Sequence, residues 1–197
     1  MNIYLLYADK PFCEYEKYLP YVSPERLEKI HLLKDDCQKK LSLLSHLFAR
    51  YKIAETLSIP FKETVILYDS HGKPYVEGDN YHFSLSHCDN AIAFVSHTSP
   101  VGIDIQKIES TISSAIRFFT ENEKNYVNFS SERFFEVWTK KEAYIKMLGT
   151  GLSTPLSSFD VLHHDISGLL FSTQVDSFSL SICAKNVGKI DILREYV

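Results

Sequence analysis

Two segments constrain this chain more than its size does. Val101-Gly102-Ile103-Asp104-Ile105-Gln106 alternates with a period of two, and a few dozen residues later comes Trp138-Thr139-Lys140-Lys141-Glu142-Ala143-Tyr144-Ile145-Lys146-Met147-Leu148-Gly149-Thr150-Gly151-Leu152. In a strand, Val101, Ile103 and Ile105 face one way while Gly102, Asp104 and Gln106 face the other. In a helix, Trp138, Glu142 and Lys146 follow each other at i,i+4 steps along one stripe, so a carboxylate sits one turn from an ammonium. Glycines at 149 and 151 permit a helix stop and a close backbone turn, which places the charged stripe near a helix end. An isolated Glu-Lys pair of this kind is ordinarily a solvated helix support. Trp138 on the same stripe argues for partial burial. Asp104, projecting from an apolar strand, reads on its own either as a turn residue or as a ligand on a rigid mount.

The elements around these segments can be read by pattern. Met1 to Ala8 is an apolar strand, and Ser23-Pro24-Glu25 opens a helical stretch reaching about Leu57, with serine at the cap and proline in the first turn. Lys62 to Tyr68 alternates like a strand, and Asp69-Ser70-His71-Gly72 is turn chemistry. His82 to Leu85, Ala91 to His97 and Val101 to Ile105 form a strand-turn-strand series. Ser113 to Phe119, Glu121 to Asn128 and Glu132 to Leu148 read as helices; Phe159 to Leu162, Leu169 to Val175 and Ser179 to Ala184 read as closing strands. The order helix then sheet thus occurs twice, without a residue-level repeat.

The chain resembles the surfactin-type 4′-phosphopantetheinyl transferases. The resemblance runs through Met1-Asn2-Ile3-Tyr4, Ser23-Pro24-Glu25-Arg26, Gly72-Lys73-Pro74, Phe83-Ser84-Leu85-Ser86-His87, Val101 to Gln106, Arg117-Phe118-Phe119 and Trp138 to Leu152. The Gly-Ile-Asp-Ile block and the Trp, Lys-Glu, Lys and Gly-Thr-Gly-Leu spacing are the specific parts. The fold implied is α/β (α+β): a pseudo-two-fold monomer of two similar lobes with the active site at their interface. Pro100 is the expected boundary, with residues 1–99 binding coenzyme A and residues 100–197 carrying the metal and the catalytic helix.

The activity implied is transfer of the phosphopantetheine arm of coenzyme A onto a serine of an apo acyl or peptidyl carrier protein, releasing adenosine 3′,5′-bisphosphate. That chemistry needs an ion on the pyrophosphate, a base for the hydroxyl and cations holding phosphate in line. The resemblance carries over Asp104 as metal ligand, Glu142 as metal ligand and base, and Lys146 as the phosphate-holding lysine. It also implies Arg26, Lys29, Lys73, Pro74, Ser86 and His87 as coenzyme A contacts. Magnesium is the implied ion, with manganese as its substitute. Many family members carry glutamate where this chain has Gln106, so the third position of the metal site is an amide, and weaker metal binding before substrate arrives is expected.

Composition excludes other classes. A formal net charge of -4 with no dominant basic patch argues against nucleic-acid binding. No stretch approaches the roughly 18 apolar residues of a membrane span. Four cysteines at 13, 37, 88 and 183 lack metal-type spacing and the start lacks a signal-peptide pattern, which reads as a reduced, cytoplasmic protein. Ser86, His87 and Asp104 together raise a hydrolase triad, but neighbours on a strand point to opposite faces and no glycine elbow surrounds Ser86. A carrier-protein or coenzyme A binding module without catalysis is the other alternative, motivated by Gln106 and opposed by the intact Lys141-Glu142 and Lys146. His163-His164 beside Asp165 reads as a turn. Carrier docking falls to part of the aromatic stretch Phe118, Phe119, Tyr126, Phe129, Phe134 and Phe135, most of which reads as core.

Overall fold

The computed structural model describes residues 1–8, 15–78, 80–167 and 169–196. Its elements in order are β1 (Asn2–Tyr7), α1 (Pro24–His31), α2 (Asp36–Leu57), β2 (Leu67–Tyr68), β3 (Pro74–Tyr75), β4 (His82–Cys88), β5 (Ala91–His97), β6 (Val101–Lys107), α3 (Glu121–Val127), α4 (Ser131–Leu148), α5 (His164–Ser167), β7 (Leu170–Val175), β8 (Phe178–Ala184) and β9 (Asp191–Tyr196). Short 3-10 turns fill several connections.

Two sheets share one core. The first has the order β4-β5-β1-β9 and the second β6-β8-β7, while β2 and β3 form a separate ribbon. Ile3, Leu5, Ala93 and Val95 of the first sheet meet Val101, Ile103, Ile105, Leu180 and Ile182 of the second in one buried cluster. Helix α2 covers the opposite face of the first sheet, where Phe48, Ala49 and Ile53 pack on Leu6, Phe83 and Phe94. Helix α4 lies on the second sheet, with Ala143 and Met147 against Cys183. This is the two-lobed α/β architecture implied by the resemblance.

Local chemistry sets the helix ends. The Ser23 side chain caps α1, and Asp35 caps α2 by accepting from the Gln38 amide at 2.8 Å. The helical stretch expected from Ser23 to Leu57 is therefore two helices: α1 closes at Leu32, and Asp35 starts a new one. Ser130 caps the start of α4, and Gly149 ends it in the left-handed region at φ 75°.

Three other expectations are corrected. Lys62 to Tyr68 is a strand only at Leu67–Tyr68, after a 3-10 turn at Phe61–Glu63, and Ser114–Phe118 is a 3-10 turn. Phe159 to Leu162 forms no strand, because its backbone groups are claimed by side chains. Lys141 takes the Phe159 carbonyl, Glu123 the Val161 amide and Asp160 the Leu162 amide. A strand absent from the sequence reading, β9, returns to the first sheet and runs parallel to β1, from Asn2 opposite Asp191 to Tyr7 opposite Tyr196. Lys52 on α2 ties it down through Glu195 at 2.6 Å.

Gly102 sets the distance between α4 and β6. A β-carbon there would lie 1.9 Å from the Ala143 carbonyl oxygen and 2.5 Å from the Met147 nitrogen, so any side chain drives helix and strand apart. Gly102→Ala is expected to destabilise the fold by at least about 1–3 kcal/mol, the usual range for overpacking. Denaturant unfolding checks this, and an unchanged midpoint would contradict the close approach.

Candidate active site

The lobes meet where β4 and β6 run side by side, linked by side chains. Ser84 Oγ accepts from the Ile103 amide at 3.1 Å, and Ser86 Oγ donates to Asp104 Oδ1 at 2.7 Å. Asp104 is 2% exposed, a degree of burial that an ionised carboxylate tolerates only with strong partners. Lys146 reaches the same oxygen from α4 at 2.7 Å, and Gln106 Nε2 donates to Oδ2 at 3.3 Å. The strand alternation expected for Gly102, Asp104 and Gln106 is thus realised: this face of β6 turns to α4.

Glu142 lies one turn before Lys146 on the half-buried stripe, and Trp138, one turn earlier, stacks on Phe119 and Phe134. Among the described residues Glu142 has no hydrogen-bond or ion-pair partner. Burial pushes its carboxyl above the usual range, the Asp104 charge adds to this, and Lys146 opposes it. An unpartnered carboxylate beside a second one is a donor set for a hard cation or a proton. Asp104 and Glu142, with the Gln106 amide close by, make an oxygen-bearing group of the kind magnesium takes.

Two cavities flank this centre and share Pro74, Leu85 and Lys146 in their walls. The first, about 280 Å³, is lined also by Arg26, Ser45, His46, Tyr68 and His87. Arg26 donates from Nη2 to the Ser42 hydroxyl at 2.8 Å, while its Nε is buried without a partner, a donor left for an anion. His46 is held down to about 3 by burial and the Arg26 and Arg50 charges, so its ring is neutral at pH 7. Desolvation, with Lys146 and Arg26, also lowers His87. The second cavity, about 270 Å³, is lined by Phe83, Ile145, Leu156, Gly149, Gly151 and Glu142 among others. It is the more apolar of the two.

Of the residues singled out in the sequence, Arg26, Lys73, Pro74, Ser86, His87, Glu142 and Lys146 line one cavity or both, and Asp104 with Gln106 lies directly behind Lys146. Lys29 lines neither; its ammonium lies over the Tyr68 ring, 4.6 Å from the centroid. Lys73 is engaged structurally, donating to the Met147 carbonyl at the end of α4 at 3.0 Å. Burial lowers its pKa. Ser86 donates directly to Asp104 with no imidazole between them, the opposite of a hydrolase relay. His46 and Ser45 were missed, although Ser42, Ser45, His46 and Ala49 mark one buried polar face of α2 at i, i+3, i+4 and i+7.

Elsewhere, His163, His164 and Asp165 gather their ligand atoms within 4.8 Å but are all exposed; His163 sits in the bend expected there, and His164 and Asp165 open the short α5. Phe119, Phe134 and Phe135 are core, whereas Phe118 and Phe129 stay exposed. Cys37, Cys88 and Cys183 are free thiols, and Cys13 lies outside the described residues. No described helix is long and apolar enough to cross a membrane.

Comparison with known proteins gives the family. A family model described as the 4′-phosphopantetheinyl transferase superfamily matches residues 100–196, and one described as the N-terminal part of 4′-phosphopantetheinyl transferase matches residues 10–99. The 4′-phosphopantetheinyl transferase ffp of Bacillus subtilis is 32% identical over 177 residues, covering 84% of this chain and 78% of that protein. The transferase Sfp of Bacillus subtilis strain 168 is 31% identical over the same shares. The transferase gsp of Aneurinibacillus migulanus is 39% identical over 124 residues, 60% of this chain and about half, 52%, of that protein. With two family models covering both lobes and the Asp104, Glu142 and Lys146 cluster between them, the chain belongs to the 4′-phosphopantetheinyl transferase superfamily as a surfactin-type member.

Proposed function

We propose that this chain transfers the 4′-phosphopantetheine arm of coenzyme A onto a serine hydroxyl of an apo acyl or peptidyl carrier protein. The observation that carries the reading is the placement of Glu142 and Lys146 one helical turn apart, beside buried Asp104, where two cavities of different polarity meet. The relatives named above bear the same activity in their names.

The polar cavity, with Arg26, His46 and His87, suits the phosphorylated nucleotide end of coenzyme A, and the apolar one suits the arm. Lys146, in both walls, then lies at the pyrophosphate. Asp104 and Glu142, with the Gln106 amide, would hold magnesium, or manganese in its place, which supplies charge neutralisation on the pyrophosphate when bound. The serine oxygen attacks the phosphorus that bears the arm, the bridging P–O bond breaks, and adenosine 3′,5′-bisphosphate leaves. The serine proton passes to Glu142, directly or through a water; Glu142 is the carboxylate at this site that lines the apolar cavity and has no hydrogen-bond or ion-pair partner among the described residues. Lys146 compensates phosphate charge, and its bond to Asp104 is exchanged for phosphate as substrate enters.

Residues 1–99 then chiefly bind coenzyme A, and residues 100–197 carry the metal ligands and base, with Pro100 between them. Lys29 serves the nucleotide end through Tyr68, and Lys73 shapes the cleft by its hold on α4. The partners proposed are coenzyme A and a carrier domain, with the protein acting as a monomer in the cytoplasm; the formal net charge of -4 does not favour nucleic acid as a partner. The catalytically silent binding module, whose motive was the Gln106 amide alone, is not favoured beside relatives named as transferases.

Turnover tests this reading. After incubation with this protein, coenzyme A and magnesium, the mass of an apo carrier protein is expected to rise by one phosphopantetheine group, and chelation is expected to abolish the gain. Glu142→Ala should cut the rate by at least about 10²-fold with coenzyme A binding retained; a wild-type rate would remove Glu142 from the chemistry. Gln106→Glu is expected to lower the magnesium needed for half-maximal rate severalfold, and an unchanged requirement would place this side chain outside the metal shell.

A further inference from the structure

Lys141 is fully buried, as is Glu123 opposite it, and the two form an ion pair at 2.8 Å. A lysine ammonium has three N–H donors. Here they meet Glu123 Oε2, the Leu156 carbonyl at 2.7 Å and the Phe159 carbonyl at 2.7 Å. Glu123 is equally engaged: Oε2 also accepts from the Thr120 amide at 2.8 Å and Oε1 from the Val161 amide at 2.9 Å. Every polar group of a dry pair is thus used.

Stability alone does not account for such a pair, since apolar side chains of similar volume commonly do as well or better in a protein interior. What it does that apolar side chains cannot is bind backbone. Two of its contacts hold carbonyls, and a third holds an amide, of the 150–162 segment, which contains no strand and only two single 3-10 turns. That segment supplies Gly151, Thr154 and Leu156 to the apolar cavity. Among the described residues, its remaining hydrogen bonds near the cavity are local, such as Thr154 Oγ1 to Thr150 Oγ1 at 2.6 Å and the Ser153 amide to the Thr150 carbonyl. Asp160, bound by Thr120 and Asn122, anchors only its far end. For Leu156, the hydrogen bond that ties it to a neighbouring element among the described residues is the one from Lys141.

We propose that Lys141 is a positioning residue that acts on the arm of coenzyme A and not on its nucleotide: with Glu123 it fixes the 150–159 segment as the wall of the apolar cavity. This rests on the reading above that the apolar cavity receives the arm. Lys141 touches no cavity itself; the next residue on the helix, Glu142, turned by about 100° around the axis, does. Helix α4 therefore holds the cavity wall with one side chain and presents its carboxylate to that cavity with the next.

The test is the neutral double variant Lys141→Met/Glu123→Gln, which leaves no unpaired buried charge, assayed beside the wild type for carrier modification. The Michaelis constant for coenzyme A is expected to rise about tenfold, while the inhibition constant of adenosine 3′,5′-bisphosphate, which lacks the arm, stays within about twofold. Hydrogen exchange of the 150–159 amides is expected to quicken, with α2 unchanged. A parallel rise in both constants, or no rise in either, overturns the proposal. If the double variant does not fold, Lys141→Met alone removes the bonds to the Leu156 and Phe159 carbonyls while Glu123 keeps those from the Thr120 and Val161 amides and can take up a proton, and it is expected to show the same split; equal constants there overturn it as well. If the wild type itself modifies no carrier, the functional reading fails, and the exchange rates still decide whether Lys141 holds the segment.

Discussion

A carboxylate buried to 2% exposure must be compensated, and Asp104 is compensated from three directions: Ser86 from β4, Lys146 from α4 and Gln106 from its own strand. Meeting that demand fixes the relation of the parts. Ser86 belongs to the first sheet and Lys146 to the second-lobe helix, so one side chain joins both lobes at their junction. Removing either partner would leave the charge short of compensation, a larger cost than the net contribution of an ordinary hydrogen bond. Glu142 beside it is left without a partner among the described residues; burial raises its pKa, the Asp104 charge adds to this and Lys146 opposes it.

The knot requires helix α4 to lie directly on β6. Gly102 permits this by having no side chain where the Ala143 carbonyl passes. At the far end, Gly149 turns the chain out of the helix, and Lys73 caps the Met147 carbonyl from the first lobe, a favourable place for a cation. Lys141 then secures the chain that follows. Three lysines at one helix thus have three tasks: Lys146 compensates Asp104, Lys73 closes the helix end, and Lys141 orders a loop.

The separation of tasks explains what the sequence could and could not reveal. Asp104, Glu142 and Lys146 were legible because strand and helix periods alone place them on single faces. The family resemblance put these faces together, and the structure has them in contact. Lys73 was legible as important but not as a helix-end contact, because its partner is a carbonyl 74 positions along the chain. Lys141 was legible only as part of the Lys-Glu motif; its burial depends on an ion pair with Glu123, 18 positions earlier and itself part of the capping box of α3. For the same reason Phe159 to Leu162 looked like a strand: the side chains that occupy its backbone lie on other elements. Strand β9, with alternating charge in Asp191-Ile192-Leu193-Arg194-Glu195-Tyr196, carries a weak pattern, and its neighbour β1 stands at the opposite end of the chain.

The most direct measurement is the position of the metal. A crystal of this protein with coenzyme A and manganese, measured for anomalous scattering, should show a peak in contact with the Asp104 and Glu142 carboxylates and with phosphate oxygens, with Lys146 turned from Asp104 toward phosphate. A peak at the exposed His163, His164 and Asp165 group, with none between Asp104 and Glu142, would contradict a metal-phosphate centre at the junction of the lobes.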